Sequence, residues 1–399
     1  MATKKTLLII PGIDGVGGVA SYYKSVLPHL ETPTVIVTRG TNRINLSLCK
    51  RILAAVLSYW YVLKELLKGG VGVVQVNTSL DRSGALRDAL FIVLAWAFRV
   101  PVVTFIRGWH PSEVARVERN KLHAFRLIFL RSTLIILLSS AFAETLRKWG
   151  YKRTIYVETT AVNEELISAS RLVKDRDKDS KIVNILFLAR VEREKGIYEA
   201  MEAFALIEKR FLKKVKLVIA GSGPEIESAR NYADKIGIHN IVWLGYVKGR
   251  GKAEAFLNAD IYLFPSYHEG MPNSLLEAML FGLPIVTTSV GGLKDFFEEG
   301  KMGHMIDNPD PALIAEKVDI LIEEAEERRK IGNFNAEYAG KFFRAKTVAK
   351  RMERIWETVM CGTIEDGGEK FWWDSKGPSL LDVGKERTAS GTVVRDDKD

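Results

Sequence analysis

Two glutamates eight residues apart, Glu269 and Glu277, stand in the stretch Pro265-Ser-Tyr-His-Glu-Gly-Met-Pro-Asn-Ser-Leu-Leu-Glu-Ala-Met-Leu-Phe-Gly-Leu. An apolar, β-prone run from Asp260 to Phe264 feeds a turn built on Gly270, Pro272 and Asn273. A short helix is expected to open at Ser274 and stop at Gly282, before a second buried strand from Pro284 to Thr288. The loop would deliver Glu269 to the mouth of a sheet, and Glu277 would follow in the first helical turn. Between them lie backbone N–H groups that lack intrahelical partners and sit at the positive end of the helix dipole, a place that attracts anions. Two carboxylates beside an anion cradle suit a ligand that is both phosphorylated and rich in hydroxyls. The same spacing also reads as a capping box, Ser274-Leu-Leu-Glu277, in which Glu277 only reaches back to a backbone N–H.

The stretch resembles the E-x7-E signature of the retaining, family 4 glycosyltransferases of the GT-B fold. Gly282-Leu-Pro-Ile-Val-Thr-Thr-Ser-Val-Gly-Gly292 extends the likeness. The resemblance implies that Glu269 hydrogen-bonds sugar hydroxyls and Glu277 the ribose hydroxyls. It gives the amides around Asn273, Ser274 and Leu275 to the donor diphosphate, and places Gly270, Met271 and Pro272 along the donor. A second run, Arg190-Val-Glu-Arg-Glu-Lys195-Gly196, resembles the family's Arg-x4-Lys-Gly, in which arginine and lysine hold the diphosphate. The chemistry needs such cations, because a glycosyl–phosphate bond breaks onto a phosphate whose growing charge must be met in a dry cleft. Taken alone, the run also reads as solvated charge at a strand end. Gly221-Ser-Gly223-Pro224 resembles the family's Gly-x-Gly-Pro turn beside the nucleotide, although a turn needing open backbone geometry explains it equally well. Leu244-Gly-Tyr-Val247 lies where the family's backbone meets the base.

In the first half, Gly15-Val-Gly17-Gly18-Val19 follows the first strand and opens a helix. It is no dinucleotide fingerprint, because the G-x-G-x-x-G spacing fails and the second strand ends in Thr38-Arg39 rather than an acidic residue. The family places Gly17 and Gly18 against donor phosphate and acceptor. One departure stands out at Val102-Val-Thr-Phe-Ile-Arg107-Gly108-Trp109-His110. Many relatives carry a histidine straight after this strand, facing the reacting sugar. Here Arg107 fills that slot and His110 comes three residues later, so either His110 swings in or the arginine assists the leaving phosphate.

The positioning elements are legible as alternating strands and helices. Strands are expected at Thr6–Pro11, Thr34–Thr38, Val71–Asn77, Val102–Arg107, Leu134–Ser139 and Thr154–Glu158. A second set is expected at Ile185–Leu188, Lys216–Ala220, Ile241–Leu244, Ile261–Phe264, Ile285–Thr288 and His304–Ile306. Continuous apolar runs rather than strict alternation mark parallel sheets covered on both faces. The expectation is an α/β chain of the GT-B type, two Rossmann-like doubly wound domains facing a central cleft. Residues 1–174 would form the acceptor domain, 175–181 a linker and 182–335 the nucleotide-sugar domain; a helix over 336–361 would return to the first domain, and 362–399 would be a polar tail, disordered or loosely packed, with Phe371-Trp-Trp373 touching its own domain or docking elsewhere.

With 399 residues, 47% hydrophobic and 27% charged, the chain is long enough for two cores. Cys49 and Cys361 fit neither a disulfide framework nor a metal site, which points to a reducing, cytoplasmic setting. Thr6-Leu-Leu-Ile-Ile10 is cut short by Pro11-Gly12 and reads as a strand rather than a secretory signal, and no stretch reaches the length of a membrane span. The net charge of +9 is uneven: residues 1–175 carry 24 Lys plus Arg against 12 Asp plus Glu, and the remainder 34 against 37. A basic first half, with aromatic and apolar residues from Cys49 to Lys68 and Arg116, Arg119, Lys121 and Arg126 on one segment, reads as contact with an anionic membrane surface, or else as residues 46–68 packing on the sheet with their lysines solvated. Nucleic acid is not expected, because no binding module accompanies the charge.

The expected function is retaining transfer of a sugar from a nucleoside-diphosphate sugar to a glycan or lipid-linked acceptor, with no cofactor and no metal. Two alternatives remain open at this stage: a nucleotide-sugar epimerase of the same fold, and a non-catalytic nucleotide or membrane-surface binding protein.

Overall fold

The computed structural model describes residues 4–13, 17–39, 47–80, 82–170, 182–364 and 367–371. The expected linker 175–181 and Trp372-Trp373 lie outside the described residues, as do Gly15 and Val16. The first sheet is built from β1 (Lys5–Pro11), β2 (Thr34–Arg39), β3 (Val71–Ser79), β4 (Val102–Gly108), β5 (Leu134–Leu137) and β6 (Ile155–Val157). The second holds β7 (Val183–Leu188), β8 (Val215–Ala220), β9 (Ile241–Gly245), β10 (Ile261–Phe264), β11 (Ile285–Thr288) and β12 (Gly303–Ile306). A short β13 (Glu369–Phe371) joins the first sheet beside β6.

All strand pairs are parallel. The order is β13-β6-β5-β4-β3-β1-β2 in the first sheet and β12-β11-β10-β7-β8-β9 in the second. The inner strands are apolar runs that bury both faces, as parallel sheets require, for example β5, where all four residues are buried, whereas the edge strands β2, β9 and β13 are partly exposed. Each order reverses once, between β1 and β3 and between β7 and β10, and such switch points open a crevice at the carboxyl ends of the strands.

One apolar cluster runs from the first sheet (Leu8, Val103, Phe105) through the second (Leu186, Tyr262, Ile285) to the terminal helix (Val348, Met352, Trp356). Separate clusters fill the outer face of each sheet. The chain crosses earlier than 174, since the helix Glu165–Ser170 already packs on the second-domain helix Gly249–Leu257.

The expected single helix over 336–361 is two helices, Ala325–Phe342 and Ala345–Cys361, broken at Phe343-Arg344. The break lets Val162 donate to the Phe343 carbonyl, and it turns the last helix back onto the helix Gly18–Val26 and onto β3. There Arg351 forks buried Glu158, with Nε 3.0 Å from Oε1 and 2.9 Å from Oε2, and Trp356 Nε1 donates to Gln75 Oε1 at 2.6 Å. The expected tail is ordered at its start, because β13 adds to the edge of β6 and Arg147 Nη2 donates to the Gly368 carbonyl at 2.6 Å. Phe371 ends that strand half-exposed.

The helix Leu48–Leu67 buries Val62 and Leu66 against the sheet but leaves much of its length bare. Ile52, Leu53, Val56, Leu57 and Trp60 are each between 55% and 62% exposed, and Lys50, Lys64 and Lys68 are exposed on the same helix or at its end. Leu90 and Val93 of the adjoining helix Arg82–Ala97 are also exposed. No helix among the described residues is long and apolar enough to cross a membrane. Cys49 and Cys361 are exposed free thiols.

Candidate functional site

The switch point of the second sheet brings the two distant motifs together. β7 ends in the run that carries Arg190 and Lys195, and β10 ends in the loop that carries Glu269, so neighbouring strands aim both segments into one crevice. Lys195 Nζ lies 2.6 Å from Glu269 Oε1, with both side chains 15% exposed, and Ser266 Oγ holds the same oxygen at 3.2 Å. Gly196 makes this approach possible: its φ is 73°, and a Cβ there would meet the Pro265 carbonyl oxygen at 2.0 Å.

The helix beyond Glu269 runs Asn273–Leu280 with Pro272 at its cap, one residue earlier than expected. No side chain caps it, so the capping-box reading of Glu277 does not hold; Ser274 instead accepts from the Tyr262 hydroxyl at 2.7 Å. Glu277 sits in the second turn, buried, and paired with Lys252 from the neighbouring helix. Burial raises its carboxyl above the usual range, against the opposing pull of Lys252. Met271 and Leu275 are buried beside it, and Gly270 approaches Leu138 of the first domain.

Arg190 is turned to solvent, 70% exposed, and pairs with Glu192 at 2.7 Å rather than joining Lys195. Gly221 and Gly223 fold the β8 turn onto the β7 end: Val191 N donates to the Ser222 carbonyl at 3.1 Å, and a Cβ on Gly221 would meet the Ala189 oxygen at 1.8 Å. Val247 lines a cavity of about 350 Å³ with Lys216, Val218 and Glu254. Because Lys216 stands near the start of β8, that cavity extends toward the amino ends of the strands, away from the Lys195–Glu269 pair.

Among the described residues, hydrogen bonds and ring contacts also join the first domain to this site at three places. Asn273 Nδ2 donates to the Gly18 carbonyl at 3.4 Å, which sets the starts of the helices Asn273–Leu280 and Gly18–Val26 against one another. His110 Nδ1 caps the helix Pro111–Arg116 through Ser112, while its Nε2 lies 3.5 Å from Glu194 Oε1 and its ring 5.6 Å from that of His268. Ser140 N donates to Asp295 Oδ2 at 2.9 Å. Arg107 does not face the crevice in this way. Its guanidinium turns into the first domain over the Tyr22 ring, 8% of the residue is exposed, and Nη2 donates to Thr160 Oγ1 at 3.1 Å. Of the two residues that compete for the family's histidine slot, His110 therefore stands at the cleft.

Sucrose-phosphate synthase from Thermosynechococcus elongatus superposes on this chain with a TM-score of 0.68 at 18% identity, covering 90% of this chain and 100% of that one. HepE of Anabaena, solved with UDP and glucose, gives 0.66 at 14% identity over 89% and 100%. The fold is GT-B. Residues 169–338 match the family described as Glycosyl transferases group 1. The capsular polysaccharide biosynthesis glycosyltransferase CapM of Staphylococcus aureus is 27% identical over 47% of this chain and 50% of its own. The matched segment thus spans about half the length of such curated relatives.

In this GT-B cleft, sequence reasoning missed Lys252, Glu194 and His268. Lys252 sits in Gly249-Arg-Gly-Lys-Ala, a run with no motif, and only the packing of its helix brings it to Glu277. Glu194 and His268 each adjoin a motif residue, so their neighbours Lys195 and Glu269 were the available signal. Together with Tyr198, Glu199 and Tyr267 they line a cavity of about 510 Å³ beside the Lys195–Glu269 pair.

Proposed function

We propose that the chain is a retaining glycosyltransferase that moves a sugar from a nucleoside-diphosphate sugar to a glycan or lipid-linked acceptor at an anionic membrane surface. The observation that carries the reading is the Lys195–Glu269 pair, set at the switch point between two helix starts joined by Asn273 and Gly18. A diphosphate placed there meets Lys195 and the amides of Asn273, Ser274 and Leu275. As the glycosyl–oxygen bond breaks, its electron pair passes to the phosphate oxygen, and these fixed groups meet the new charge without reorganising. Arg190 reaches the same diphosphate by leaving Glu192. Glu269, held by Lys195 and Ser266, accepts hydrogen bonds from sugar hydroxyls, and Glu277 accepts them from the ribose. His110 faces the sugar from the first domain. No enzymic nucleophile is invoked: the leaving phosphate takes the acceptor proton on the face it departs from, which retains configuration. Two cations and two helix starts balance the diphosphate without a metal.

The name of CapM, a capsular polysaccharide enzyme, and the UDP and glucose bound in HepE support the donor and product class. The bare apolar stripe of Leu48–Leu67, flanked by lysines, supports the membrane surface as the place where the acceptor is met. Thermal shifts with UDP, GDP and ADP and their sugars test the reading. A ligand at about 100 times its dissociation constant adds roughly 2.7 kcal/mol, so the matching base is expected to stand out from the other two. An unchanged melting curve with every nucleotide would contradict it. Release of free nucleoside diphosphate together with a bond between sugar and acceptor separates transfer from epimerisation.

A further inference from the structure

The cavity of about 510 Å³ beside the Lys195–Glu269 pair has no part in the transfer chemistry above. Its size falls within the roughly 300–1,000 Å³ of small-molecule sites. At one end it meets the cleft: Glu194 Oε1 lies 3.5 Å from Nε2 of His110 in the first domain, and the His268 ring lies 5.6 Å from that of His110. From there it follows the helices Ile197–Phe211 and Ile226–Lys235, where Tyr198, Glu202 and Tyr232 line it. Glu194 directly precedes Lys195, and Tyr267 and His268 directly precede Glu269, so the cavity and the donor pair are built from the same two segments. Those segments are tied together where the Tyr267 amide donates to the Glu194 carbonyl at 2.9 Å.

Tyrosine hydroxyls fix the carboxylates of this wall. Tyr267 donates to Glu199 Oε1 at 2.7 Å, Tyr232 to Glu202 Oε1 at 2.5 Å, and Tyr198 to Glu225 Oε2 at 2.6 Å. Each carboxylate keeps lone pairs beyond the one its tyrosine uses. Glu199 Oε2 is buried and has no partner among the described residues, a state that is costly and that a donating hydroxyl relieves. The tyrosines also offer ring surface, Tyr267 being 42% exposed and Tyr198 standing edge-on to Tyr232 at 5.2 Å. Arg193 is the one arginine or lysine in the lining, and it is already matched: its guanidinium lies 4.7 Å from the Tyr198 ring centroid and its Nε 3.6 Å from Glu225 Oε2. Glu194, Glu199 and Glu202 therefore leave the wall with a surplus of negative charge. No group of three or more His, Cys, Asp and Glu among the described residues is placed to hold a metal ion.

Carboxylates held beside tyrosine rings suit a ligand that presents hydroxyl donors on one side and an apolar face on the other. Resting on the glycosyltransferase reading, we propose that this cavity is an acceptor subsite that takes a neutral sugar residue of a glycan, with Glu199 and Glu202 accepting from its hydroxyls and Tyr267 covering its apolar face. The acceptor is then recognised in part by the second domain, and through its sugar rather than through a phosphate of a lipid carrier. A phosphate or a uronic acid sets a like charge against the three glutamates and is rejected.

Saturation-transfer NMR of the full chain with the neutral disaccharides cellobiose, maltose and lactose, and with acidic digalacturonate, tests this in the wild type, Tyr267→Ala and Glu199→Gln. At least one neutral disaccharide is expected to bind, tenfold or more tightly than digalacturonate. Tyr267→Ala is expected to weaken that binding at least tenfold while keeping the wild-type thermal shift with nucleotide. Glu199→Gln preserves the size of the side chain and is expected to narrow the gap between neutral and acidic disaccharide, which keeps the test valid if the alanine variant folds poorly. Binding of none of the neutral disaccharides, digalacturonate binding as tightly as they do, or binding unchanged in both variants would overturn the inference. A nucleotide shift in the same samples would leave the transferase reading intact in each of those cases. A wild type that shifts with no nucleotide removes the reading on which the inference rests.

Discussion

Glu269 and Glu277 occupy different surroundings, and their variants should separate accordingly. Glu277→Gln removes a charged acceptor for ribose, worth about 1.5–3 kcal/mol, so free nucleotide and nucleotide-sugar should both bind roughly 10- to 100-fold more weakly by calorimetry. Glu269→Gln should leave free nucleotide affinity unchanged and lower sugar transfer. Equal nucleotide affinity in Glu277→Gln and wild type would refute the ribose role. The raised carboxyl of Glu277 also gives a pH signature. Because its folded value lies above the unfolded one, its contribution to stability is present at low pH and fades as pH rises through the ordinary glutamate range to the raised value. Ribose binding has the opposite sign, since the hydroxyls donate to the ionised form: nucleotide affinity should fall on acidification above the usual glutamate range, and Glu277→Gln should flatten that part of the profile. At this scale the sequence singled out Glu269 and Lys195 by motif, and the structure sets the two side by side. It was silent where three-dimensional packing chose the partner, as for Lys252, and it could not show that Arg107 turns inward while His110 stays at the cleft.

Strands were legible because parallel packing demands continuous apolar runs; all twelve expected strands form, with no end shifted by more than two residues. β13 escaped notice because three residues, Glu369-Lys-Phe371, carry no apolar period and are fixed only by pairing with β6. The break at Phe343-Arg344 was missed for a related reason: the apolar pattern continues through it, and the turn is imposed by contact with Val162. Arg351→Ala strands the buried Glu158 carboxylate and should destabilise the protein by about 3–5 kcal/mol in denaturant unfolding, loosening the last helix from the first domain. A loss within about 0.5 kcal/mol, the size expected of a surface substitution, would mean the fork holds little. The stripe of Leu48–Leu67 should act as the membrane contact. Leu57→Asp with Trp60→Asp removes two apolar side chains worth about 1.5–3 kcal/mol each, so sedimentation with anionic vesicles should fall more than tenfold while the melting temperature holds, since both side chains are exposed. Equal recovery of the wild type in the supernatant with neutral and anionic vesicles at low salt would remove the membrane surface from the account.

On the scale of the whole molecule, two doubly wound sheets turn their switch points toward one another, and residues from β1, β4, β7 and β10 loops meet because of strand order rather than sequence proximity. The charge is divided as well, with a basic first half and a near-neutral second half. Balance of the diphosphate by Lys195, Arg190 and two helix starts carries a further expectation: activity should survive EDTA, and an enzyme silenced by chelation and restored by magnesium or manganese would overturn that assignment. The most direct measurement is release of nucleoside diphosphate from a panel of UDP-, GDP- and ADP-sugars, followed by chromatography with and without a lipid-linked or glycan acceptor. The account expects release from sugars of one base, slow with water and faster with acceptor, and at least 100-fold slower in Glu269→Gln. Intact donor in every reaction, from a protein that nonetheless binds one of the nucleotides, would contradict it and leave a non-catalytic binding protein.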